Sequence, residues 1–151
     1  MPDPRRVLFV CTGNLCRSPM AEAIASRRWA SADLVFASSG VLAVTDAPAT
    51  TMAVAACEEA GADLSAHRAR QFDESLAAGA DQILVMTEAH RRRVLELAPG
   101  AGGKVELLRL DGVDVDDPYG QPLEVYRASR DEITAALETR FGLPFGQLGR
   151  P

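Results

Sequence analysis

The chain is almost without lysine. Of its 16 basic residues only Lys104 is one, so nearly all positive charge is carried by arginine. Arginine presents a fixed fork of donors suited to carboxylates and phosphates. Basic residues are also in the minority: 21 acidic residues bring the net charge to -5. That balance excludes a general nucleic-acid binder, which needs a basic excess. Long apolar runs are missing, and nothing approaches the roughly 20 residues of a membrane span. The opening "MPDPRRV" has no apolar signal core, so a cytoplasmic protein with no membrane partner is expected. Cysteines number 3, without framework spacing. Free thiols in a reducing compartment are expected rather than structural disulfides.

What is present is an ordinary globular composition, 47% hydrophobic over 151 residues. This is enough for a core of its own, and residues 1–151 read as a single domain. The tail "FGLPFGQLGRP" is rich in Gly and Pro, and from about residue 142 it reads as a flexible end. Strand and helix patterns alternate. Continuous apolar runs place strands at Arg6 to Val10, Leu34 to Ser38, Gln82 to Met86 and Val105 to Leu108. Helices are expected from Ser18 to Trp29, Pro48 to Ala60, Glu88 to Leu97 and Leu123 to Phe141. Pro19 falls in a first turn, Gly61 just past a helix end, and Pro99-Gly100 after another. The fold class is therefore α/β: a central four-stranded parallel sheet flanked by helices in three layers. Ligands of such sheets bind beyond the carboxyl ends of the strands. Cys11 lies at one such end.

The segment "VLFVCTGNLCRSPMAEAI" runs from a buried strand through a short polar loop into a helix. Such a loop turns backbone N–H groups inward as an anion nest, backed by the helix dipole. Gly13 allows the backbone angles that a tight nest needs, and Asn14 tolerates a left-handed conformation. Arg17 closes the loop with a fork for two oxygens of a phosphate. The same positive surroundings favour a cysteine thiolate, the nucleophilic form, and Ser18 is placed to donate to it. The spacing C-x5-R is weak alone, since chance produces one match about a third of the time in a chain of this composition. Its weight comes from the strand before, Gly-Asn within, and Ser-Pro with a helix after. Without that context Cys11 would be a small core residue and Arg17 a surface one.

A leaving group needs a proton, and "VDVDDPYGQP" offers Asp111, Asp114, Asp116 and Asp117 on the loop after the fourth strand. Pro118 biases Asp117 to an extended backbone, holding one carboxylate at the pocket mouth. An isolated DPYG would be an acidic surface turn; the topology brings this one to the same sheet edge as Cys11.

With these motifs the chain resembles the low-molecular-weight protein tyrosine phosphatases. The resemblance is carried by "VCTGNLCRSPMAE" at the start, "SSG" at 38–40, "HRARQ" at 67–71 and "DDPYG" at 116–120. It implies metal-free and cofactor-free covalent hydrolysis of a phosphorylated protein, with competition from phosphate-like oxyanions. Cys11 would be the nucleophile and Asp117 the general acid and then base. Thr12, Gly13, Asn14, Leu15, Cys16 and Arg17 would form the phosphate cradle. By motif match Asn14, Ser18, Ser38 and His67 would be the hydrogen-bond network that supports it. The resemblance also gives Cys16 a redox role, as a thiol able to pair reversibly with the nucleophile. The competing reading of Cys16 is that it fills space under the loop. Cys57, on an alanine-rich helix, reads as core, and His90 as exposed and inert.

In the resemblance the pocket walls are Leu15 and Tyr119, which suit a flat phenyl ring and make phosphotyrosine the expected substrate. The segment "VLAVTDAPAT" after the second strand offers no aromatic, unlike many relatives. The alternative is phosphoarginine, the substrate of a bacterial branch similar to this chain in "MTEAHR" at 86–91 and in the single aromatic after DP. That branch has a threonine where this chain has Leu15. Arsenate reduction is disfavoured, because only Cys57 lies outside the loop for a thiol relay. A non-catalytic phosphate-binding module would gain nothing from a positioned acid such as Asp117.

Overall fold

The first strand, β1 (Arg5–Cys11), shows how the core is divided. Its side chains alternate between two faces: Val7, Phe9 and Cys11 enter one apolar cluster, Leu8 and Val10 the other. This is the period-2 pattern of a strand buried on both sides, which is why its sequence reads as a continuous apolar run. The computed structural model describes residues 3–142. The expected flexible tail lies, from residue 143 onward, outside the described residues.

The chain continues through α1 (Arg17–Trp29), β2 (Leu34–Gly40), α2 (Thr51–Glu59) and α3 (Glu74–Gly79). Then follow β3 (Gln82–Val85), α4 (Glu88–Leu97), a 3-10 segment (Pro99–Lys104), β4 (Val105–Leu107) and α5 (Leu123–Phe141). The four strands form one parallel sheet in the order β2-β1-β3-β4. Helices α1, α2 and α5 bury Met20, Ile24, Ala53, Cys57, Tyr126, Ile133 and Leu137 on one face of it. On the other face lie Phe72, Ala77 of α3 and Val94 of α4. The α/β class and the three layers are thus those expected. Burial of a side chain such as Phe9 or Met20 contributes about 1.5–3 kcal/mol, so the apolar clusters are the main source of stability.

Local chemistry sets the boundaries. Thr50 Oγ1 accepts from the Ala53 N–H and caps α2, so the helix starts there rather than at Pro48. It ends where expected: Gly61 has φ 78° and, with Ala62, returns hydrogen bonds to Glu58 and Cys57. Two elements were not anticipated. Helix α3 is six residues long, capped by Asp73, and too short to show a period. The 3-10 segment begins at Pro99, which ends α4 yet starts a new turn.

The order β2-β1-β3 means that the chain leaves β1 toward one side and later returns on the other. The crevice beyond the carboxyl end of β1 is therefore a switch point, where such sheets bind ligands.

Candidate active site

Residues 11–17 wrap into a closed loop whose carbonyls all face away from its centre. The C=O groups of Cys11, Thr12 and Gly13 accept from the N–H groups of Val41, Leu42 and Val44. The Asn14 carbonyl accepts from His67 Nε2 at 2.7 Å, which places a hydrogen on that nitrogen. The carbonyls of Leu15 and Cys16 accept from the N–H groups of Thr50 and Met20. With every carbonyl tied outward, the N–H groups of residues 12 to 16 have no acceptor among the described residues. Together with the start of α1 they form an anion nest. The backbone reversal falls at Asn14, with φ 59°, and not at Gly13, whose φ is not positive.

Asn14 earns its place through both ends of its amide. Its Nδ2 donates to Ser18 Oγ at 2.9 Å and to Ser38 Oγ at 3.0 Å, while its Oδ1 accepts from the Arg70 N–H. Ser38 Oγ in turn donates to Glu22 Oε1 at 2.6 Å. Ser18 Oγ stands 2.9 Å from Cys11 Sγ and, as a third contact, 3.3 Å from the Ser39 carbonyl. The structure thus brings Asn14, Ser18, Ser38 and His67 together behind the loop. Cys11 Sγ is at its base, the side chain buried.

Arg17 is a buried cation, only 4% exposed. Nη1 donates to the Val115 carbonyl at 2.8 Å, and Nη2 lies 3.6 Å from Asp117 Oδ2. Its Nε is buried without a partner among the described residues. Such an orphaned donor on a charged group is costly unless something else pairs it, and an oxyanion in the nest would do so. Asp117 sits opposite, its side chain 52% exposed, with Oδ1 accepting from the Tyr119 N–H. The cleft that both help to line holds about 220 Å³ and is walled by Leu15, Leu42, Val44 and Tyr119. Of the other acidic candidates, Asp111 is engaged by Arg109, and Asp114 accepts from the Glu88 N–H.

A nest of free N–H groups, a buried guanidinium and a carboxylate around one cysteine match a known pattern over almost the whole chain. Residues 6–142 fit the family of low molecular weight phosphotyrosine protein phosphatases. The chain belongs to that family. It is 39% identical to the protein-arginine-phosphatase of Geobacillus stearothermophilus over 139 residues, covering 89% of this chain and 93% of the relative. It is 36% identical to the low molecular weight protein-tyrosine-phosphatase Wzb of Escherichia coli K12 over 124 residues, 81% of this chain and 83% of the relative. Among solved structures, Vibrio vulnificus Wzb in complex with benzylphosphonate superposes with a TM-score of 0.86 at 30% identity. That match covers 90% of this chain and 96% of the Vibrio one. Membership makes the protein a hydrolase of phosphoric monoesters.

Against the family's loop the remaining candidates separate clearly. Cys16 is buried under the loop, 3.4 Å from the Tyr126 hydroxyl and 3.6 Å from Thr50 Oγ1. Burial pushes its thiol pKa up, with the two hydroxyls working in the other direction. Cys57 is core as expected, its thiol pushed up to about 12 by burial. His90 corrects the sequence reading. It is only 5% exposed, and its Nε2 lies 2.8 Å from Thr12 Oγ1. The arginine-rich character of α4 belongs to its outer face, while position 90 turns inward with Val94, four residues on.

Sequence reasoning assigned no role to Gly40, Glu22 or Arg70, although all three lie in or beside the quoted motifs. A Cβ on Gly40 would press on the Thr12 carbonyl and come within 2.8 Å of the Asn14 nitrogen, so only glycine lets β2 lie against the loop. Glu22 accepts a hydrogen bond from the Ser38 hydroxyl, and Arg70 links the loop to β2 through the Ser38 carbonyl. Spacing could not show these roles, because each partner lies on another element.

Proposed function

We propose that this protein is a protein tyrosine phosphatase that works through a phosphocysteine intermediate. The observation that carries the reading is the inward-facing N–H nest over Cys11 with Arg17 Nε, unpaired among the described residues, beside it. A phosphate monoester seated there has its oxygens on the N–H groups of residues 12 to 17 and on Arg17. The Cys11 thiolate attacks phosphorus, an S–P bond forms, and the bond to the leaving oxygen breaks. Asp117 gives its proton to that oxygen. Asp117 then takes a proton from water, the water oxygen attacks phosphorus, the S–P bond breaks, and phosphate leaves with the thiolate restored. Positive charge comes from the nest and Arg17, so no metal or cofactor is required by this chemistry. Inorganic phosphate, vanadate and similar oxyanions compete for the same donors.

Leu15 and Tyr119, which both line the cleft, support an aromatic ester as substrate. Cleavage of phosphoarginine is the second reading, favoured by the likeness to the Geobacillus arginine phosphatase. The aliphatic Leu15 weighs against it, as it offers a guanidinium no hydrogen bond. Cys16 is assigned a protective role: peroxide oxidises Cys11 to the sulfenic acid, and the Cys16 thiol condenses with it to a disulfide, releasing water. Reduced free cysteines fit a cytoplasmic location. The deciding experiment is metal-free kinetics on phosphotyrosine and phosphoarginine peptides. A kcat/KM at least tenfold higher on phosphotyrosine is expected; the opposite ratio would replace the first reading by the second.

A further inference from the structure

Among the buried titratable groups that the proposed reaction leaves unused, His90 alone contacts the loop's Thr12 side chain. His90 has its backbone N–H on Thr87 Oγ1 in the capped first turn of α4, which fixes where its ring enters. Its Nδ1 is buried without a partner, so the Nε2 contact to Thr12 Oγ1 is the ring's only hydrogen bond among the described residues. Thr12 is itself an exposed loop residue, the first after the nucleophile. The same hydroxyl lies 3.5 Å from Arg17 Nη2.

Arg17 needs such a contact. The bond from Nη1 to the Val115 carbonyl fixes one corner of the planar guanidinium but not the tilt of the plane. Asp117 cannot supply the second corner, because its half-exposed carboxyl must exchange protons during turnover. Thr12 Oγ1 can, provided that its rotor is held. We propose that His90 is a positioning residue: by fixing the Thr12 hydroxyl it sets the plane in which Arg17 grips the phosphoryl group. This inference rests on the phosphatase reading of the site. The ring does this as neutral imidazole. Burial, and then the Arg17 charge, hold its pKa down to about 4, with Asp117 and Asp114 acting weakly the other way. No second cation therefore competes beside Arg17.

The test is a double-mutant cycle read by phosphate binding. Calorimetry with inorganic phosphate on the purified protein needs no turnover, and urea midpoints are recorded alongside. His90→Ala and Thr12→Val are each expected to weaken phosphate about fivefold, the worth of one hydrogen bond. The double variant is expected to lose no more than either single one. His90→Gln, whose amide reaches Thr12, should recover most of the loss. On substrate, KM should rise with the phosphate constant. Additive losses in the double variant, or a lowered urea midpoint with phosphate affinity unchanged, would overturn the proposal. Should His90→Ala not fold, Thr12→Val against Thr12→Ser carries the test: a loss with valine and none with serine supports it, and no difference refutes it. If wild-type protein binds phosphate but hydrolyses no phosphopeptide, the catalytic reading fails while the relay remains measurable.

Discussion

The floor and the rim of the active-site cleft are built in opposite ways. On the floor, Cys11, Asn14, Arg17, Ser18 and Ser38 are buried and hydrogen-bonded to one another and to Glu22, Ser39, Arg70 and Val115. On the rim, Leu42 is 74% exposed and Tyr119 60%. A floor of preorganised donors does not reorganise when charge develops on the phosphoryl oxygens, which is where electrostatic catalysis is strongest. A rim of loose apolar groups discriminates by contact area, worth only about 1–3 kcal/mol between substrates. The chemistry is therefore set by the floor, and the choice of ester by the rim.

Changes to the floor should break the enzyme, and changes to the rim should redirect it. Cys11→Ser is the most severe: phosphatase activity should fall to background while calorimetry still detects phosphate, and appreciable residual hydrolysis would contradict the nucleophile assignment. Asp117→Asn should lower kcat by about 10²–10⁴-fold on phenyl phosphate and by much less on nitrophenyl phosphate, whose leaving group needs little protonation. Equal losses on the two esters would speak against a general acid. Gly40→Ala tests the floor's support from β2. Overpacking against the loop backbone should cost about 1–3 kcal/mol in urea unfolding, with weakened phosphate binding. On the rim, Leu15→Thr should move the phosphotyrosine-to-phosphoarginine ratio by about tenfold toward phosphoarginine, with some loss of stability because Leu15 packs against the core cluster. An unmoved ratio would show that Leu15 does not select.

The smallest effect concerns pH. His90 is held at about 4 in the folded chain against an ordinary 6.5. Between those values the unfolded chain takes up a proton that the folded chain refuses. Its contribution to stability is therefore complete above pH 6.5 and is lost as the pH falls toward 4. Urea midpoints of His90→Gln should fall less steeply than wild type across that window; parallel curves would mean that the ring titrates normally.

Much of the fold was legible because long amphipathic elements carry their own boundaries. Helices Glu88–Leu97 and Leu123–Phe141 end where capping and periodicity put them. Phe141, the last residue of that second helix, packs edge-on against Phe36. Helix α3 and the 3-10 segment were missed because six residues do not establish a period. The loop from Cys11 to Arg17 was legible as a strand-to-helix turn, since its backbone demands are local, whereas the grouping of Asn14, Ser18 and Ser38 came only from the resemblance. His90 was not legible. Its burial depends on a contact with Thr12, 78 residues away, and its arginine neighbours suggested a solvated face. Gly40 and Glu22 were visible only as letters in a motif, because their reasons lie in a neighbouring strand and a neighbouring hydroxyl.

The central claim is a covalent bond between Cys11 and phosphorus. Asp117→Ala, mixed with a nitrophenyl phosphate substrate and rapidly quenched, should accumulate one phosphoryl group per chain, because loss of the base slows hydrolysis of the intermediate. Peptide mass spectrometry should place that group on Cys11. A phosphoryl group on any other residue, or turnover of substrate with no labelled chain at the earliest times, would contradict the account.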